Sequence, residues 1–141
     1  MMKNCPFCDL DRKRNRVLKE TGNIIVFFSS PRLMPGHLLV VPKRHVEKLS
    51  ELRKAEREEL METLMMFEEK ILKRLAPGCD ITQHYRPFLN QTDLKVDHLH
   101  FHLRPRKLRD SLYLKCQLAE KNIFKKPSKK ELDKLYSLLK D

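Results

Sequence analysis

Tryptophan is absent from these 141 residues, glycine occurs three times, and Phe and Tyr together number ten (seven and three). So few aromatics leave little material for a platform on which nucleic-acid bases would stack. Long apolar runs are missing as well. The longest, His37-Leu-Leu-Val-Val-Pro42, falls far short of the ~20 residues a spanning helix needs, so no membrane partner is expected. Cysteine is limited to four, and Cys79 and Cys116 stand alone. That pattern excludes a disulfide framework and leaves those two as ordinary thiols. Met1–Pro6 runs into Cys8 and a charged segment without the apolar stretch of a leader, which predicts a cytoplasmic protein.

Positive charge is abundant. Lys and Arg number 30 against 19 Asp and Glu, for a net charge of +11. The excess is uneven, because residues 46–75 hold seven Lys or Arg against eight Glu and the rest of the chain therefore carries +12. Basic residues concentrate at Arg12–Arg16, Arg104–Arg109 and Lys121–Lys130. They serve either as a solubilising surface or as an attraction for polyanions such as nucleotides, phosphates or nucleic acid. Charge alone does not choose between these.

Length predicts one domain over residues 1–141, and no repeat or low-complexity segment divides it. Val17–Glu20 and Ile24–Phe28 flank Thr21-Gly22-Asn23 and read as a hairpin. His37–Val41 is a dense apolar strand closed by Pro42. A long helix is expected over roughly 50–75, with Leu60, Leu64, Phe67, Ile71 and Leu75 recurring at helical spacing and Ala76-Pro77-Gly78 ending it. Strands should follow at Asp80–Tyr85 and Val96–Leu103, the second closed by Pro105. The tail reads as a helix over 111–124 and a second one opened by Ser128-Lys-Lys-Glu131, a capping-box pattern. The order predicts an α+β fold with an antiparallel sheet, one long helix and C-terminal helices.

Two clusters carry chemistry. Cys5-Pro6-Phe7-Cys8 places two thiols where they can hold one metal, form a redox pair, or do neither. His98-Leu99-His100-Phe101-His102 puts three imidazoles on one face of a strand, which is expensive without partners. Metal ligation, covalent catalysis at phosphorus, and a satisfied structural cluster all remain open for it. His84, beside Tyr85, reads as an ordinary side chain at a surface or core edge.

His98–His102 followed by Leu103-Arg104-Pro105-Arg106 resembles the motif of the histidine-triad superfamily of nucleotide hydrolases and transferases. Pro35-Gly36-His37 with the apolar strand and Pro42-Lys-Arg-His45 resembles a second segment of that family. Cys5-x-x-Cys8 and the hairpin before Ser30 occur in the same order, so the resemblance covers about residues 4–106 and leaves about 107–141 as a helical extension.

The resemblance implies that His100 is the nucleophile, that His102 hydrogen-bonds phosphate or leaving group, and that His37 lies near the same phosphate. It implies a structural zinc held by Cys5, Cys8, His45 and His98, a nucleotide or nucleotide-conjugate substrate, and a homodimer. The reaction implied is attack on the α-phosphate of a nucleoside phosphoanhydride or phosphoramidate. Lys95 occupies the family's small hydroxyl position, Ser29 falls near its ribose-binding acid, and Pro87 near an asparagine, with Arg86 and Asn90 alongside. Arg104 stands at the motif's final apolar position. These departures alter nucleoside recognition, and Lys95, Arg86 and Asn90 become candidate substrate contacts. Two other readings are a basic nucleic-acid-binding module with an inactive triad, and a metal-dependent hydrolase using all three triad histidines as ligands.

Overall fold

A computed structural model describes residues 4–141. The chain forms two compact units, one ending at Leu108 and the other spanning Arg109–Asp141. The first holds five strands and one long helix: β1 (Val17–Glu20), β2 (Ile24–Phe28), β3 (Leu38–Pro42), α1 (Lys54–Arg74), β4 (Gly78–Gln83) and β5 (Phe101–Arg106). All neighbouring strands are antiparallel, in the order β1-β2-β3-β5-β4. No helix is long and apolar enough to cross a membrane among the described residues.

Side-chain alternation divides the sheet into two faces. On one face Ile24, Val26, Leu38, Val40 and Leu103 pack against the α1 stripe Leu60, Leu64, Phe67 and Ile71. On the other, Ile25, Phe27, Leu39 and Val41 are covered by Phe7, Leu10 and Val17. The helix therefore occupies one side, and the N-terminal segment covers part of the opposite side. His102 belongs to that opposite side, because its cross-strand partner is Leu39.

Helix α1 starts later than its apolar periodicity suggests, since Leu49–Glu51 forms a separate 3-10 turn. Glu56 sets the boundary. Its carboxylate accepts the Arg53 N–H at 3.0 Å and binds Arg44 at 2.8 and 2.9 Å, and Arg44 holds the carboxyl down to about 2. This half-buried pair also anchors the segment that carries His45.

The expected strand over 96–103 begins only at Phe101 and continues through Arg106. Two hydrogen bonds explain the late start. The Leu99 N–H donates to the Val46 carbonyl at 2.6 Å, and the His98 ring donates to the Pro42 carbonyl at 2.7 Å, so this stretch serves residues near His45 and not a strand ladder. Pro105 fits inside β5 because pairing with β3 ends at Leu38↔Leu103, leaving that side without a ladder.

Within Arg109–Asp141, the single helix expected over 111–124 is a short helical start followed by a π-type turn at Tyr113–Gln117 and a 3-10 turn at Glu120–Asn122. The Leu118 N–H reaches back five residues to Tyr113, which widens the turn. The second helix, α2 (Lys129–Leu139), opens as expected, with Ser128 Oγ accepting the Glu131 N–H at 3.1 Å.

Candidate active site

Cys5, Cys8, His45 and His98 come together. Cys5 Sγ lies 3.4 Å from His98 Nδ1, and Cys8 Sγ lies 3.3 Å from His45 Nδ1 and 3.6 Å from His98 Nδ1. All four ligand atoms fall within 4.8 Å of one another. A tetrahedral zinc with ordinary Zn–S and Zn–N bonds has sulfur–nitrogen edges of about 3.6 Å, so these separations fit. The donor chemistry fits too. The Pro42 carbonyl can only accept, so His98 carries its proton on Nε2 and presents a lone pair at Nδ1. Burial favours the neutral ring and pushes its pKa down to about 4. Glu47 stands 3.7 Å from the outer nitrogen of His45.

His100 and His102 are engaged elsewhere. His100 Nδ1 donates to the His98 backbone carbonyl at 2.6 Å, leaving the Nε2 lone pair free. His102 sits at the end of a second chain. The Leu33 N–H donates to His37 Nδ1 at 3.1 Å, so His37 is protonated at Nε2 and donates from there to His102 Nδ1 at 2.8 Å. His102 must then carry its remaining proton on Nε2. The two rings lie 4.9 Å apart between centroids, one presenting an acceptor and the other a donor. Burial lowers the pKa of both; that of His102 falls to about 2, with repulsion from neighbouring His100, His37 and Arg104 adding to it.

The turn before β3 delivers His37. Gly36 has φ +81°, where a side chain would be strained and a Cβ would run into Leu75. The Cys5–Cys8 loop delivers Phe7, whose ring meets the edges or faces of His100, His98 and Phe27 at 5.1, 5.9 and 5.4 Å. One aromatic thus bridges the cysteine–histidine cluster and the histidine pair.

His100 and His102 lie between two cavities that share Thr92, Leu94, Val96 and Arg104 as well. The larger, about 550 Å³, includes Arg86, Pro87, Asn90 and Lys95; the smaller, about 340 Å³, includes His37 and Ser29. Lys95 is tied by hydrogen bonds to Asp97 and to the Leu89 carbonyl. Ser29 Oγ donates to the Pro31 carbonyl at 2.8 Å.

Three site residues escape a reading of the sequence. His84, expected as an ordinary side chain at a surface or core edge, lines the larger cavity with its ring 5.2 Å from that of His102. Phe7 carries no signal beyond its place between two cysteines. Arg104 is visible only as a break in the motif.

Fold and site together define a small α+β protein with an imidazole cleft beside a Cys₂His₂ cluster. Residues 12–108 match the HIT domain, and the chain belongs to that family. It is 28% identical over 106 residues to an adenosine 5′-monophosphoramidase of Schizosaccharomyces pombe, covering 73% of this chain and 74% of that one. A HIT-like protein of Chlamydia muridarum is 33% identical over 87 residues, 60% of this chain and 65% of its own. Among solved structures, a HIT family member from Bacillus subtilis superimposes with a TM-score of 0.69 at 18% identity, covering 97% of this chain and 95% of that one. A zinc-bound histidine triad protein from Mycobacterium smegmatis gives 0.64 at 21% identity, over 77% and 79% of the two chains.

Proposed function

We propose that the chain is a nucleotidyl hydrolase or transferase working through a covalent nucleotidyl-histidine. His100 Nε2 attacks the α-phosphorus of a nucleoside phosphoanhydride or phosphoramidate, in line with the departing group. A nitrogen–phosphorus bond forms as the bond to the leaving oxygen or nitrogen breaks, and the bonding pair goes with that group, which takes a proton from water. The His98 carbonyl, already holding Nδ1–H, stabilises the charge that develops on the ring. His102 Nε2–H hydrogen-bonds phosphate oxygen. Water or another acceptor then attacks the same phosphorus, gives up its proton to solvent, and releases His100 as the neutral imidazole.

The observation that carries this reading is the opposed tautomers of His100 and His102, an acceptor and a donor side by side in one cleft. Two cavities flanking the pair suit the two halves of a nucleotide conjugate. Arg86, Asn90 and Lys95 offer polar contacts in the larger one, Lys95 with its charge partly neutralised by Asp97.

Cys5, Cys8, His45 and His98 hold zinc in this reading. When bound, it supplies a closed crosslink between the N-terminal loop and the residues leading into β5, with no open coordination position. The strand β4, at one edge of the sheet, and the exposed α1 side chains Met61, Met65 and Leu72 serve a homodimer.

Release of nucleoside monophosphate from a panel of nucleoside phosphoramidates and phosphoanhydrides tests the reading. Wild type turns over at least one of them and His100→Ala loses nearly all of that turnover. Equal turnover by the two proteins rejects it.

A further inference from the structure

Arg104 follows His102 by two residues on β5, which puts both side chains on the same face, roughly 6–7 Å apart along the strand. Its side chain lines both cavities, at the ridge where His100 and His102 also stand. Among the described residues, the Arg104 Nε is buried with no hydrogen-bond partner. The natural partner would be Asp80, directly across the strand pair, but that carboxylate binds Arg106 instead. The remaining neighbours do not satisfy it. Arg86 and Arg106 repel it, and Asp80 attracts it only through space. Two further guanidinium groups, Arg14 and Arg32, border the smaller cavity. A guanidinium whose buried Nε has no acceptor is costly, and its planar fork matches phosphate oxygens.

We propose that Arg104 is a specificity-determining residue that binds a second phosphate next to the one His100 attacks, so that the cleft favours nucleotides joined through a polyphosphate chain over phosphoramidates with a neutral leaving group. The second phosphate supplies an acceptor to the Arg104 guanidinium where it borders the cavities, and His102 and Arg104 together hold two consecutive phosphates. This rests on the nucleotidyl-transfer reading for its catalytic consequence but not for its binding consequence, and the two are separable by experiment.

The zinc-loaded 141-residue protein and its Arg104→Leu and Arg104→Lys variants are titrated with inorganic tripolyphosphate at fixed ionic strength. Arg104→Leu weakens binding about tenfold or more, and Arg104→Lys, which keeps the charge but not the fork, recovers part of it. Equal affinity for wild type and the leucine variant overturns the proposal, and thermal melts confirm that each variant is folded. In a second arm, kcat/KM is measured for diadenosine triphosphate, whose leaving group is ADP, and for adenosine 5′-phosphoramidate. The ratio of the two falls about tenfold or more in Arg104→Leu. An unchanged ratio overturns the claim of selectivity, whatever the binding result. Should wild type cleave neither compound while tripolyphosphate binding depends on Arg104, the anion site stands and the catalytic reading fails.

Discussion

The backbone carbonyl of His98 accepts the Nδ1–H of His100 at 2.6 Å, so one residue serves two centres. The His98 side chain faces Cys5 and Cys8, while its main chain fixes the tautomer and orientation of the neighbouring imidazole. Phe7 makes a second link, since it lies on the loop between those cysteines and packs against the His100 ring at 5.1 Å. Disturbing the cluster therefore disturbs His100 along two routes.

One zinc per chain is the expected stoichiometry, measured by metal analysis of protein purified without added metal. Cys5→Ser should lower Tm by about 10 °C or more, because ligation energy in such a site is folding energy. Activity should fall with it, as Phe7 and the His98 carbonyl lose their fixed positions. Metal-free protein with unchanged Tm and turnover would contradict this.

The chain from Leu33 through His37 to His102 requires both rings to be neutral. Burial pushes His37 down to about 4, with Arg104 and His100 adding to the shift. An unfolded histidine takes its proton near 6.5. Between those values the unfolded chain binds more protons than the folded one. Stability is thus greatest above about pH 6.5 and declines as pH falls towards 4, by up to about 1.4 kcal/mol per pH unit for each such ring. Nitrogen-15 NMR of the imidazoles should show His37 neutral down to about pH 5, and a midpoint near 6.5 would break the proposed tautomer chain.

Truncating His102 removes the donor that this chain orients. His102→Ala should cost about 10²–10³-fold in kcat, as is usual for one charge-stabilising donor. His37→Ala should cost less, since it acts only through His102. Steady-state kinetics of the two variants on the best wild-type substrate check the order, and a larger loss for His37→Ala would reverse the roles.

Much of the fold is legible in the sequence where a local pattern decides it. The hairpin of β1 and β2, the apolar β3 and the stripe on α1 each follow from periodicity and turn chemistry. The start of β5 is not local, because it depends on Val46 and Pro42 claiming the hydrogen bonds of residues 98 and 99. The sequence assigns all three triad histidines to one strand, yet only His102 lies in it. His84 escapes for a similar reason. Its approach to His102 follows from the pairing of β4 with β5, in which Thr82 lies opposite His102, and no pattern within either strand gives that register.

An open edge and an apolar helix face predict self-association. Met61, Met65 and Leu72 are 57%, 53% and 39% exposed on α1, and β4 has a neighbour on one side only. Sedimentation should give a dimer, and Met65→Glu should shift it towards monomer. A wild-type monomer at tens of micromolar would contradict the proposal.

The most direct test of covalent transfer through His100 is intact-protein mass spectrometry after rapid quenching without acid. Wild type mixed with a turned-over nucleotide should gain the mass of one nucleotidyl group, with fragmentation placing it on His100, and His100→Ala should gain nothing. Turnover of that nucleotide by wild type with no adduct at any quench time, together with undiminished turnover by His100→Ala, would contradict the account.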